Sequence, residues 1–321
     1  MGGGTGTFPV VSALKKLETN ITAIVSVSDS GGSTGRIRDE FGFQPVGDLR
    51  QSLAALADPK GQQWIQKLLL YRFSKGTGLK GHNLGNLILT ALQDMTGNTT
   101  QALEIAEQVF NLTGSVIPVT ASDVNLQIHY SDGSTALGEH ILDEADANPK
   151  SIQTVSLVPE CQTNPPAKKA LLEADFIIIG PGDLYASILS TLVVSDIQSI
   201  FSKSRAQVIY VSNLMTRRTQ THNMTLSEHV KTIETAIGKK VDHIIINSQN
   251  IPQEALTLYK VAEEHQVIDD LGTDSRTIRA ELLFNTLIHT KKEDTAHRSL
   301  LRHDADKLKS VFSKIITKNY L

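Results

Sequence analysis

Cysteine is nearly absent from this chain: Cys161 is the single one among 321 residues. No intrachain disulfide can form, so a reducing, cytoplasmic setting is expected. Long apolar runs are missing as well. None approaches the roughly 18–20 residues that a membrane-spanning helix requires, and no signal-peptide pattern opens the chain. Neither charge is in excess, since a net charge of −3 gives no global pull toward nucleic acid or an anionic membrane. Neither partner is expected. The ten histidines show no H-E-x-x-H pattern and have no cysteine partners, so no metal site of the zinc type is expected. G-x-S-x-G is absent, and Cys161 follows Pro159-Glu160 in a loop with no base motif beside it.

What the chain does have is glycine in two special places. Gly2-Gly3-Gly4-Thr5-Gly6 opens it, and Gly31-Gly32-Ser33-Thr34-Gly35-Arg36 follows an apolar stretch at 21–27. Glycine accepts positive φ and lets backbone N–H groups approach a ligand closely. A helix start adds unpaired donors and a positive dipole end, which suit phosphate. Thr7 can cap a helix after the first loop, with Pro9 in its first turn. No lysine follows the first glycines, so the loop is not a Walker A motif. Their order is not G-x-G-x-x-G either, which weighs against a nicotinamide dehydrogenase. One such turn alone reads equally well as an ordinary connection. The pair, at neighbouring strand ends, points to a ligand that contains a diphosphate.

Hydrophobic residues make up 40% of the chain and charged residues 20%, enough for a full core. Short apolar strands at 21–27, 151–158, 176–179, 208–211 and 243–247 alternate with helical patterns at 49–57, 64–73, 84–92, 100–110 and 227–237. The alternation predicts an α/β fold, a Rossmann-like three-layer arrangement of a parallel sheet with helices on both faces. Residues 124–130 and 134–141 flank the turn signal Ser131-Asp132-Gly133 and predict a β-hairpin inserted at 122–142. No repeat or long linker interrupts the chain, so 1–321 is expected to be a single domain. From Ala305, the residues Leu308, Val311, Phe312, Ile315 and Ile316 share one helix face opposite several lysines, which predicts a helix docked on the core. A sheet edge or helix face could serve a homodimer.

In open α/β sheets, ligands collect at the carboxyl ends of the strands. Asp29 stands about 20 residues after Gly6, where a dinucleotide site keeps an acid for a ribose; a loop-capping aspartate is the equal alternative. Gly180, Gly182 and Asp183 directly follow the 176–179 strand, and Asn213 closes the next one, where its amide can read a base or a sugar hydroxyl. Asp48 starts a helix, foremost as an N-cap. His82, Asn83 and Asn86 crowd the first turn of another helix; capping explains one of them, and three together suggest a site. Arg36 and Arg38 can clamp phosphate or serve as surface charge. Jointly these residues outline one pocket, and Mg2+ on Asp29 or Asp183 is compatible with a diphosphate there.

With these segments assembled, the chain resembles the CofD-like family, in particular its YvcK branch of bacterial gluconeogenesis factors. The resemblance runs from Gly2 nearly to the C-terminus and rests on the order and spacing of residues 2–6, 29–38, 45–50, 81–86, 179–185, 212–216 and 301–304. It implies a Rossmann-like core, a nucleotide pocket and, in this branch, binding of UDP-sugars such as UDP-N-acetylglucosamine. It also implies a regulatory role in cell shape and in growth on gluconeogenic carbon sources. Through Leu258-Tyr259-Lys260 and Leu301-Arg302-His303, it sets Tyr259 and Arg302 near the sugar nucleotide. The chain departs from the family twice. The family has a strand ahead of its first glycine loop, where only Met1 precedes Gly2. It also has Gly-Glu-Thr after the asparagine, where this chain has Thr219-Gln220-Thr221, so no acid role carries over.

The resemblance offers a rival function, a CofD-type transferase that moves a phospholactyl group from a guanylyl donor to a deazaflavin alcohol. That chemistry needs a divalent ion and Asp29 or Asp48 beside the attacking hydroxyl. Enzymes of that type carry Gly-Asp-Asp-Phe at the second strand. Ser28-Asp29-Ser30-Gly31-Gly32 here favours a regulator without turnover.

Overall fold

A computed structural model of the chain describes residues 1–57, 63–143, 150–286 and 299–319. Apolar runs bounded by turns form most of its strands. β1 (Thr22–Val25) pairs in parallel with β2 (Ser115–Pro118). β3 (Asn125–Tyr130), β4 (Thr135–Leu137) and β5 (Ile152–Val158) make an antiparallel sheet in the order β4-β3-β5. β6 (Phe176–Ile179), β7 (Gln207–Val211), β8 (His243–Asn247) and β9 (Thr277–Ala280) make a parallel sheet in that order. Met1 and Gly2 stitch the two parallel sheets together. The Gly2 N–H donates to the Ile24 carbonyl at 3.2 Å, and the Gly180 N–H donates to the Met1 carbonyl at 3.0 Å.

Side chains alternate across β7 and β8, as the two-residue period of a strand requires. Ile209, Val211 and Ile245 join Val10, Ala13, Leu308, Val311 and Phe312 on one face, under the helices Thr7–Lys15 and Ala305–Asn319. Val208, Tyr210, Ile244 and Ile246 turn to the other face, with the helices Ile197–Lys203 and Leu226–Ile237. The layered α/β arrangement and the docked C-terminal helix are therefore as the sequence implies. Among the described residues, no helix is long and apolar enough to cross a membrane.

One strand is placed differently. Residues 151–158, expected in the parallel core, pair with β3 instead and widen the inserted hairpin to three strands. The burial pattern supplies the reason: Gln153 and Thr154 are exposed between buried Ile152 and Val155, as on a strand covered on one face only. The second arm of the hairpin stops as a strand at Leu137 and passes into a 3-10 turn, Glu139–Asp143.

Candidate functional site

A cleft of about 130 Å³ lies where β6 and β7 end. Gly3, Gly4, Thr5 and Gly6 contribute part of its lining, and Pro181, Gly182 and Asp183 contribute another part after β6. Residues 213–217 follow β7 into the same cleft, and Tyr259, Glu264, Ser299, Leu301, Arg302 and His303 complete it.

Close approach explains the glycines of the first loop. A Cβ on Gly3 would run into the Asp48 carboxylate, and one on Gly6 would run into the Pro181 carbonyl. Gly4 has φ +64°, which side-chain-bearing residues rarely adopt. Gly6, and not Thr7, is the N-cap of the helix Thr7–Lys15. Thr7 is already helical, and its hydroxyl donates back to the Gly4 carbonyl at 3.3 Å.

Asp48 is likewise not a cap. Val46 holds that position in the helix Gly47–Leu56, and the Asp48 carboxylate accepts the Gly4 N–H instead. Burial pushes the Asp48 carboxyl up to about 7, and the charges of Asp29 and Asp183 add to the rise. Asp29 accepts the Gly31 N–H at 2.9 Å and a hydrogen bond from Thr34, while burial raises its pKa too. Gly47 makes room for this group, because a Cβ there would strike the Asp29 carboxylate and the Thr34 hydroxyl. Asp48 thereby connects the first glycine loop to Asp29 and the second glycine turn. Two neighbouring carboxyls are hard oxygen donors of the kind Mg2+ takes together with ligand phosphates. Among the described residues, no group of three or more His, Cys, Asp and Glu could hold a metal by itself.

The second glycine turn belongs to a separate polar cluster. Gly31 is the N-cap of the helix Gly32–Phe41. Ser33 Oγ lies 3.3 Å from His82 Nδ1. Asn83 caps the helix Leu84–Thr96 by accepting the Asn86 N–H at 3.2 Å. Asn86 in turn accepts from Arg50 Nε at 2.7 Å and donates to Thr34 Oγ1 at 3.3 Å. Arg36 is exposed, and after burial it is the largest influence lowering the His82 pKa. Asp29, Gly31, Ser33, Arg36, His82, Asn83 and Asn86 are not among the residues lining the cleft around the first loop. Much of the polarity that marked them in the sequence is spent on one another.

Around the cleft itself, several expected residues act through the backbone. Gly180, at φ +72°, passes its N–H to Met1 and lies outside the lining. Asn213 donates to the Gly182 carbonyl at 2.7 Å and accepts the Gly182 N–H at 3.4 Å, which locks together the turns after β6 and β7. The buried Tyr259 hydroxyl accepts the N–H groups of Leu300 at 2.9 Å and Leu301 at 3.1 Å. It thus fixes the segment that carries Arg302. Gln220, at the place of the family's acid, accepts the N–H groups of Tyr185 at 3.3 Å and Ala186 at 3.2 Å. A neutral amide oxygen is well suited to that task.

Three ionisable lining residues, Arg217, Glu264 and His303, are not among the site candidates that the sequence singles out. Arg217 lies 3.7 Å from Asp183 and 3.6 Å from Glu264. Burial pushes the Glu264 carboxyl up to about 7 against the pull of Arg217. Burial likewise draws the His303 imidazole down to about 4, and its Nε2 has no hydrogen-bond partner among the described residues. Arg217 adjoins one segment of the family resemblance, 212–216, and His303 lies within another, 301–304. Glu264 has no comparable signal.

The family model described as 2-phospho-L-lactate transferase CofD matches residues 1–319. A relative in Nostoc sp. is 39% identical over 98% of this chain and 67% of its own length. The "Gluconeogenesis factor" of Bacillus subtilis is 36% identical over 98% of this chain and 96% of its own. A solved structure, a member of the UPF0052 family from Bacillus halodurans, superposes with a TM-score of 0.86 at 32% identity, over 97% of this chain and 96% of that one.

Proposed function

Since the chain belongs to the 2-phospho-L-lactate transferase CofD family, we propose that it is a UDP-sugar-binding regulator of the gluconeogenesis-factor type, with UDP-N-acetylglucosamine as ligand. It acts in the cytoplasm, supporting cell shape during growth on gluconeogenic carbon sources, without turnover of its own. The observation that carries the proposal is that the first glycine loop shares one cleft with Asp183, Tyr259 and Arg302. Backbone donors at a helix start, together with an arginine, suit a diphosphate. Asp183 is an acceptor for ribose or sugar hydroxyls, and Asn213 shapes the floor through its two bonds to Gly182. Asp29 and Asp48 would hold Mg2+ beside the diphosphate, where the ion supplies charge neutralisation.

A thermal-shift panel of UDP-sugars, GDP, GTP and NAD tests this. A ligand at about 100 times its dissociation constant stabilises by about 2.7 kcal/mol. UDP-N-acetylglucosamine is expected to give the largest shift. A shift with GDP or GTP alone would replace it with a guanylyl ligand.

The neighbouring carboxyls of Asp29 and Asp48 favour a second function. An acid titrating near 7 is matched to general-base work at neutral pH, and Asp48 has that property. In a CofD-type transferase, Asp48 or Asp29 would accept the proton of the attacking hydroxyl. Incubation with the guanylyl-phospholactate donor, the deazaflavin acceptor and magnesium decides between them. The regulator forms no product.

A further inference from the structure

Arg217 is carried on the loop that leaves β7, and its backbone is fixed before any ligand arrives. Its N–H donates to Thr221 Oγ1 at 2.8 Å. The preceding Thr216 exchanges two bonds with His265, its N–H to the carbonyl at 2.6 Å and its Oγ1 from the N–H at 2.9 Å. These bonds set Arg217 beside the strand of chain that bears Glu264. The side chain is only 14% exposed and lines the same cleft as the first glycine loop.

The two acids around it stand at ion-pair range, 3.7 Å for Asp183 and 3.6 Å for Glu264. A guanidinium offers five donors in a planar fork that matches phosphate oxygens. Placing such a cation between two carboxylates in a cleft wall costs desolvation that an apolar side chain would avoid. A polyanionic ligand accounts for the arrangement, since it meets a cation already desolvated and aimed.

We infer that Arg217 is a ligand contact of this cleft, the cation that engages the diphosphate of the nucleotide sugar, with Asp183 and Glu264 as the residues that position it; the inference rests on the nucleotide-sugar assignment above. The glycine loop gives directional N–H donors but no full charge. Arg217 and Arg302 give the charge, and from different elements, so that they can hold both phosphates.

Calorimetric titration of the full chain with UDP-N-acetylglucosamine, and separately with inorganic pyrophosphate, tests the inference in the wild type, Arg217→Gln and Arg217→Lys. Arg217→Gln should weaken both ligands by about ten- to a hundredfold, with Arg217→Lys between it and the wild type. Uridine, which lacks phosphate, should bind equally to all three. A far-UV spectrum and unfolding midpoint close to wild type in Arg217→Lys guard against a folding defect. If the wild type binds pyrophosphate but not UDP-N-acetylglucosamine, and Arg217→Gln loses the pyrophosphate, Arg217 stands as the anion contact and the sugar-nucleotide assignment falls. If folded Arg217→Gln binds UDP-N-acetylglucosamine and pyrophosphate as the wild type does, the inference is wrong and Arg217 serves only to link Asp183 to Glu264.

Discussion

Asp48 accepts the backbone N–H of Gly4, and the adjacent Gly3 lies so close that a Cβ there would enter the same carboxylate. An acid from one helix thus occupies a donor of the loop that a diphosphate would use. When phosphate sits there, the carboxyl has to be protonated or screened by a cation. Its pKa near 7 makes either change accessible at neutral pH.

Gly3→Ala puts that relationship to the test. The new methyl displaces the end of a side chain and not backbone, so the fold should survive with an unfolding midpoint close to wild type. Affinity for UDP-N-acetylglucosamine should fall by at least about tenfold, the equivalent of about 1.4 kcal/mol. Calorimetry showing unchanged affinity would separate Asp48 from the ligand.

Stability should rise as pH is lowered from 8 toward 6. Asp48 and Glu264 sit near 7 in the folded chain, against about 3.9 and 4.3 for free side chains. Between those values the folded chain keeps protons that the unfolded chain has released, so acidification favours folding. Below about 6.5 the unfolded chain protonates its histidines, while burial holds His229 and His303 near 4. The rise should then level off. Urea melts of Asp48→Asn should show it more stable than wild type at pH 8, with a smaller gain at pH 5.5 that vanishes only below about 3.9, the value of the free side chain. An equal difference at both pH values would contradict the burial of that charge.

Tyr259→Phe removes the acceptor for two backbone N–H groups, those of Leu300 and Leu301. A buried donor left unpaired costs about 1–3 kcal/mol, so the urea midpoint should drop by a measurable amount. Ligand affinity should fall with it, since Arg302 rides on the released segment. Loss of affinity with no loss of stability would instead make the hydroxyl a direct ligand contact.

The sequence was most transparent where physics is most local. β6 and β8 are continuous apolar runs because both of their faces are covered, and their ends match the expected 176–179 and 243–247. β5 was harder, as the polar Gln153, Thr154 and Ser156 that mark a one-faced strand lie within an otherwise apolar run. β2 and β9 give no strand signal of their own, being four residues each, with Ser115 and Arg279 inside them. At the site, the first glycine loop was readable because crowding by Asp48 and Pro181 leaves glycine as the fitting choice. Arg217 and Glu264 were not, because single charges some 50 residues apart acquire meaning only when the fold joins them.

The most direct test is calorimetric titration of UDP-N-acetylglucosamine into the full chain with magnesium present, beside the same titration of Arg302→Ala. Saturable binding at one site is expected for the wild type, weakened by about ten- to a hundredfold in the variant. No binding of the UDP-sugar, together with product from the guanylyl-phospholactate donor that is lost in Asp29→Ala or Asp48→Ala, would contradict the regulator and make the protein a transferase.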